Sequence, residues 1–366
     1  MVLGYPDLMA FVQQLVPDMR VTRQRNLAWL ALGILQVRDA HLTISEIARA
    51  MVSRCDHWYK LKRMWRFLSN RKWSPDQCFA ALVRLVLKRF RPHGYVPVII
   101  DQSTIAGKWE VLWASIPFRG RALPISFRLF GYQELNQDAQ GSQNKLEEEF
   151  IQSVVSLFPS ADSLLLLLDR GYARVSLLEF LDRLAVSYVI RACKNVWVQF
   201  GRVYEGLLEG VQVSPGALLW WPQIRYQQKE RYPVNLAIAH NALAEEPWYL
   251  LTNLQRASSA VRWYERRFRC EELFRDVKDQ LKLETIRTHA DHRVCRLLFG
   301  MVVAYLALTL IGAAAKRVGL SPKVGKDRLS LAWMALRLLK MPQFLKPDLL
   351  NRALFSWSWS LAYESG

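Results

Sequence analysis

Val96-Pro-Val-Ile-Ile-Asp101 and Leu164-Leu-Leu-Leu-Leu-Asp169 are two short apolar runs that each stop at an acid. Runs of this length, built almost wholly from Val, Ile and Leu, suit strands buried on both faces. Such a strand is rigid and fixes the side chain at its end. Acids at the carboxyl ends of strands lie on the rim of an α/β sheet, where ligands bind. One such Asp is ordinarily a turn former; two of them make a candidate site. Outward from these runs, Val111 to Phe118 and Ala122 to Phe130 predict two more strands. Asn144 to Phe158 has helical spacing and ends at Pro159, Ser176 to Leu184 predicts a second helix, and Ser187 to Arg191 a strand. Three strands, helix, strand, helix, strand is an α/β layout with a mixed sheet.

Beyond residue 193 the character changes to Val, Trp, Tyr, Gln and Arg with Gly and Pro punctuation, which predicts a β-rich insertion. Trp248 to Thr252 predicts one more strand. Ser258 to Leu281 predicts one long, charged, amphipathic helix, and the chain from about Asp291 reads as helical.

Composition narrows the function. The 366 residues suit two or three domains, and an apolar fraction of 51% fills a real core. The net charge is +18, which favours a polyanionic partner, and Trp and Tyr are interleaved with the basic residues. Five scattered cysteines with no CxxC pair exclude a disulfide framework or zinc ribbon and point to a reducing cytoplasm. Residues 1–14 lack the pattern of a signal peptide. Leu297 to Ala315 is free of charge for 19 residues, yet it stands alone and contains Gly300, Tyr305, Thr309 and Gly312, so a buried core helix is expected and no membrane partner.

Residues 1–92 hold 16 Lys and Arg against six Asp and Glu. Leu42 to Met51 predicts a short helix capped by Thr43, with Glu46 three residues on. Tyr59 to Leu68 follows after a break, with Lys60, Lys62, Arg63 and Arg66 beside Trp58, Tyr59, Trp65 and Phe67. Helix, turn, basic helix fits a helix-turn-helix DNA reader, the alternative being an ordinary bundle with a charged face.

In Tyr264-Glu-Arg-Arg-Phe-Arg-Cys-Glu-Glu-Leu-Phe-Arg-Asp-Val-Lys278, a uniform α-helix places Tyr264, Arg267, Glu271 and Lys278 within an arc of roughly 60°. Trp263, Cys270, Leu273, Phe274, Val277 and Leu281 cluster on the adjoining face and would dock on the sheet. Two readings remain open at this point: a functional stripe, or a solvated face with i,i+4 ion pairs such as Arg267 with Glu271.

The spacing Tyr264-x2-Arg267-x3-Glu271-x6-Lys278 resembles the Tyr-Arg-Glu-Lys signature of the insertion-sequence-four family of bacterial DDE transposases, in the group of the transposon ten and transposon five enzymes. Ile99-Ile100-Asp101 is similar to that family's first-acid strand. Leu168-Asp169-Arg170-Gly171-Tyr172 resembles its Asp-x-Gly-aromatic motif. Trp248-Tyr249-Leu250-Leu251-Thr252, entered through Glu246-Pro247, is similar to the Trp-x-Leu-Leu-Thr strand ahead of the signature.

The resemblance implies an RNase H-like mixed-sheet core with a β-rich insertion, preceded by a helical DNA-binding domain. The expected division is 1–92 helical and basic, 93–193 first part of the core, 194–245 insertion, 246–320 second part with the signature helix, and 321–366 a helical carboxyl-terminal region. It implies Asp101, Asp169 and Glu271 as catalytic acids holding two Mg²⁺ ions, with Mn²⁺ able to substitute, since all-oxygen ligands suit these ions. Glu272, the rival third acid, is offset by about 100° on an α-helix and misses the signature spacing. Arg267 and Lys278 would grip phosphates, Tyr264 would donate to one, and Trp248 matches a family position that stacks on a flipped base. Lys60, Lys62, Arg63 and Arg66 are the expected DNA contacts of the amino-terminal region. His289 and His292, spaced i,i+3, are read as structural.

The implied activity is cut-and-paste transposition: hydrolysis at the element end, a hairpin intermediate, then strand transfer. The alternatives are a metal-dependent nuclease without strand transfer and an inactive DNA-binding relative. The implied partners are double-stranded DNA, both terminal inverted repeats and target, and a second copy of the chain in the DNA complex. Pairing would have to use the aromatic tail Phe355-Ser-Trp-Ser-Trp359 or another surface. The expected location is the bacterial cytoplasm, at the nucleoid.

Overall fold

The computed structural model describes residues 3–37, 41–91, 94–131, 142–320, 330–341, 343–356 and 359–360. The domain boundary expected at 92/93, the start of the carboxyl-terminal region at 321 and tail residues 357–358 lie outside them.

Five helices open the chain: α1 (Tyr5–Leu15), α2 (Val21–Gln36), α3 (Ile44–Ala50), α4 (His57–Leu68) and α5 (Asp76–Arg89). Thr43 caps α3 by accepting from the amide of Glu46 at 3.1 Å, and Asp56 caps α4 through Tyr59. The strands are β1 (Phe90–Arg91), β2 (Val96–Ile105), β3 (Trp109–Phe118), β4 (Arg121–Phe130), β5 (Leu164–Leu168), β6 (Ser187–Arg191), β7 (Trp197–Phe200), β8 (Tyr204–Leu207), β9 (Leu218–Tyr226), β10 (Tyr232–Ala239), β11 (Trp248–Thr252) and β12 (Trp359–Ser360).

Ten of these strands form one sheet in the order β4-β3-β2-β5-β6-β11-β10-β9-β7-β8. β4, β3 and β2 run antiparallel as two hairpins; Arg119 and Gly120 both have positive φ at the β3–β4 turn, which suits a two-residue primed turn. β2, β5 and β6 are parallel. Helices Gln143–Val155 and Val175–Arg183 lie in the connections between them. All ten residues of β3 and all five leucines of β5 are buried, so both faces of this half are covered. This is an open, mixed-strand α/β sheet flanked by amino-terminal helices, consistent with an RNase H-like fold.

The region 194–245 is rich in strands, and β7 to β10 join the core sheet through β11. Two expectations are corrected. Asp101 does not end its strand: β2 runs on to Ile105 because Gln102 to Ile105 still pair with β3. What stops at Asp101 is the parallel pairing with β5, whose last partners are Ile100 and Leu168. Asp101 and Asp169 are therefore neighbours one step beyond the same rung. The stretch 258–281 is not one α-helix. It comprises α-helix Ala257–Tyr264, a 3₁₀ turn Glu265–Phe268, α-helix Arg269–Arg275 and a π turn Asp276–Gln280. The π turn begins at buried Asp276, whose carboxylate accepts from Arg121 at 2.9 Å and from Tyr305 at 3.4 Å.

Helix Asp291–Arg317 carries the charge-free run and is a core helix, buried throughout its apolar window. Its small residues allow close approach: a Cβ on Gly300 would meet Leu30 of α2 at 2.4 Å, and one on Gly312 the carbonyl of Leu331 at 2.1 Å. Arg296 of this helix is buried and donates to the carbonyls of Leu68 and Trp73, fastening the amino-terminal helices to the core. In the tail, Trp359 bridges Phe90 within the same chain.

Candidate active site

The acids come from three elements. Asp101 stands on β2, Asp169 directly follows β5, and Glu271 lies on helix Arg269–Arg275. One guanidinium joins them. Arg267 Nη1 is 2.8 Å from Asp101 Oδ2, and Nη2 is 3.3 Å from Glu271 Oε1 and 3.7 Å from Asp169 Oδ2. The Arg267 side chain is only 7% exposed, whereas the acids open progressively to solvent, from 18% at Asp101 through 33% at Asp169 to 51% at Glu271.

Further donors fix the two aspartates. Asp101 Oδ1 accepts from the amide of Gln102 at 2.9 Å, and Oδ2 from the Cys270 thiol at 2.9 Å. Tyr264, fully buried, donates to Asp169 Oδ1 at 3.3 Å. Burial pushes the Tyr264 phenol up, and burial with the neighbouring Asp101 carboxylate pushes the Cys270 thiol up, so both stay protonated as donors. Burial works against the charge of Arg267, but Asp101, then Tyr264 and Asp169, outweigh it and raise its pKa.

The other expected residues separate. Trp248 is half-buried and packs on Tyr264 and Phe268, with ring centroids 5.3 and 5.5 Å apart. Lys278 lies on the π turn, where each residue advances through a smaller angle than the α-helical projection assumed, and pairs with Glu284 at 3.2 Å. Glu272 faces Arg121 and Arg275 at 3.0 and 2.8 Å. Sequence reasoning missed Cys270 as a donor to Asp101, having placed it only on the docking face. It also missed the setting of Tyr172, a buried hydroxyl without a hydrogen-bond partner among the described residues, pushed up by burial and then by Glu147, Asp101 and Asp169.

The donor chemistry of three carboxylates from separate elements suits a hard divalent cation. Among the described residues, however, no three His, Cys, Asp or Glu side chains stand together as a metal-binding group. The three acids each face the Arg267 guanidinium instead.

A second charged feature lies on the amino-terminal helices. A groove of about 500 Å³ is lined by Lys62, Arg63, Arg66 and Lys72, and by Arg20 and Arg23 from the start of α2, with no acid in its lining. Lys60 is half-buried and lies outside the lining. Arg20 and Arg23 were missed because nothing in the sequence pairs α2 with α4. The start of α2 has no side-chain cap, and the helix dipole adds partial positive charge there.

Residues 133–307 match the family model of the transposase DDE domain. The match spans much of the chain and is consistent with the DDE transposase superfamily. It includes Asp169, Trp248 and the whole Tyr264–Lys278 segment, and it leaves Asp101 on the amino-terminal side. No curated protein matches the chain.

Proposed function

We propose that this protein is a DNA transposase that cuts element ends and joins them to target DNA, with Asp101, Asp169 and Glu271 as its catalytic acids. The observation that carries the reading is the convergence of these three acids, from β2, the end of β5 and the signature helix, on one guanidinium. The DDE-domain match supports the class of chemistry.

When bound, divalent cations would supply activation of the attacking oxygen and stabilisation of the leaving oxygen in an in-line displacement at phosphorus. Mg²⁺ is the natural ion, with Mn²⁺ as substitute. The protein's own part is to hold the acids. Tyr264 fixes Asp169, Cys270 and the Gln102 amide fix Asp101, and the buried strands β2 and β5 fix the backbone beneath them. Trp248 is offered as a stacking face for an unpaired base beside the cut, and Lys278 as a phosphate contact. The groove between α2 and α4 would take the backbone of the element end, as its like-signed charges suit phosphates. The hairpin pathway, the homodimer of the DNA complex and the location at a bacterial nucleoid belong to the same proposal through the family resemblance.

The test supplies pre-cut element ends, a target plasmid and Mg²⁺ to the purified protein. Joined product is expected. Cleavage of uncut ends without joining would replace the transposase with a nuclease, and tight binding with neither reaction would leave an inactive DNA-binding relative.

A further inference from the structure

We propose that Arg267 is an exchangeable counter-ion: in the free protein it holds the place that divalent cations take when the site is loaded, so cation binding requires its guanidinium to leave. The inference rests on reading Asp101, Asp169 and Glu271 as the cation-holding acids.

Arg267 engages one oxygen of each acid, Asp101 Oδ2, Asp169 Oδ2 and Glu271 Oε1, and so stands where the three carboxylates converge. One guanidinium brings a single positive charge to three carboxylates, leaving a formal excess of two negative charges. Carboxylates this close repel one another, so the site keeps a demand for cations that Arg267 only partly meets. A divalent ion meets more of that demand with the same oxygens. The two occupants cannot be accommodated on those atoms together.

Two observations indicate that the side chain is able to leave. Its Nε is buried without a hydrogen-bond partner among the described residues, so the present position does not satisfy all its donors. It also stands on the 3₁₀ turn Glu265–Phe268 between two α-helical stretches, and such mid-helix turns mark hinges. A change of winding there would move Arg267 relative to β2 and β5 while leaving the strands in place.

Exchange has a thermodynamic consequence. Any anion that draws Arg267 away, such as a DNA phosphate brought to the rim, must raise the affinity for cations, and cations must raise the affinity for that anion by the same factor. Arg267 would then make an empty site self-neutralising and load it only when the nucleic acid is present.

The test is calorimetric titration of Mn²⁺ into the full-length, metal-free protein and its Arg267→Ala and Arg267→Lys variants, without DNA. Arg267→Ala is expected to bind Mn²⁺ at least about tenfold tighter than the parent, a 1.4 kcal/mol gain, with Arg267→Lys between the two. A short duplex is expected to tighten Mn²⁺ binding in the parent and not in Arg267→Ala. Equal or weaker Mn²⁺ binding in Arg267→Ala would overturn the exchange and make Arg267 a supporter of the metal site. Absence of Mn²⁺ binding in parent and variant alike, even at millimolar ion, would instead remove the metal reading beneath it. If Arg267→Ala lacks the parent's circular dichroism spectrum, Arg267→Gln takes its place with the same expected tightening.

Discussion

At the sheet rim, one guanidinium stands among three carboxylates and is almost wholly excluded from water. In the groove between α2 and α4, six basic side chains share a surface with no carboxylate among them. The rim spends its charges on one another; the groove leaves its charges to be met from outside. Rim geometry is over-determined at the two aspartates, because each is fixed by neighbours on other elements. Groove side chains are long, solvated and largely independent, so their contributions should be small, additive and sensitive to salt.

The sharpest way to break this contrast is at the acids. Asp101→Asn, Asp169→Asn and Glu271→Gln each keep the side chain's shape and remove its charge. Each is expected to lower end cleavage by more than about 10³-fold, or ~4 kcal/mol of barrier. Binding of the end, measured by fluorescence anisotropy, should stay within about twofold, since groove and rim bind separately. Comparable losses of binding and cleavage in all three variants would mean that the rim is scaffolding for DNA contact rather than the site of chemistry.

At the groove the effect should be smaller and of another kind. Lys62→Ala and Arg66→Ala are each expected to weaken duplex binding uniformly across sequences and to reduce the slope of log K against log salt by about 0.9 per lost phosphate contact. Arg20→Ala or Arg23→Ala on the opposite wall should do the same. A loss confined to one DNA sequence would instead make that side chain a base reader. An unchanged salt slope in all four would take the groove out of the DNA interface.

The sequence disclosed these two regions unequally. The rim was legible because the five leucines before Asp169 and the Val-Ile-Ile run before Asp101 have few structural options other than buried strands. The approach of Glu271 came from the signature spacing, which survives the switch from α to 3₁₀ winding well enough to bring Arg267 and Glu271 to the same place. The i,i+4 ion pair of Arg267 with Glu271 forms, but on a buried guanidinium that also faces the strand-borne acids rather than on a solvated face. The winding change itself was hidden, since apolar periodicity does not distinguish one helix type from a neighbouring one over four or five residues. Half of the groove was hidden for a different reason. Its second wall depends on how α2 packs beside α4, and that follows from tertiary contacts such as Leu30 against Gly300 of the core helix.

Lys278 tests where the contrast ends. By spacing it belongs with Arg267 and Glu271, but the π turn has carried it into a pair with Glu284, at 28% and 41% exposure. Glu284 in turn accepts from the amide of Ala106, just past the end of β2, so Lys278 leans on a loop at the edge of the rim. A pair this exposed stabilises the fold by less than about 1 kcal/mol. Lys278→Gln is therefore expected to lower the melting temperature by no more than a few degrees. If Lys278 nonetheless serves DNA, it must release Glu284 and behave as a groove residue does, with the salt slope for pre-cut ends falling by about one. A variant with unaltered end binding and unaltered salt slope would restrict Lys278 to the Ala106 loop. The working part of the signature would then end at Glu271, where the helix still winds as an α-helix.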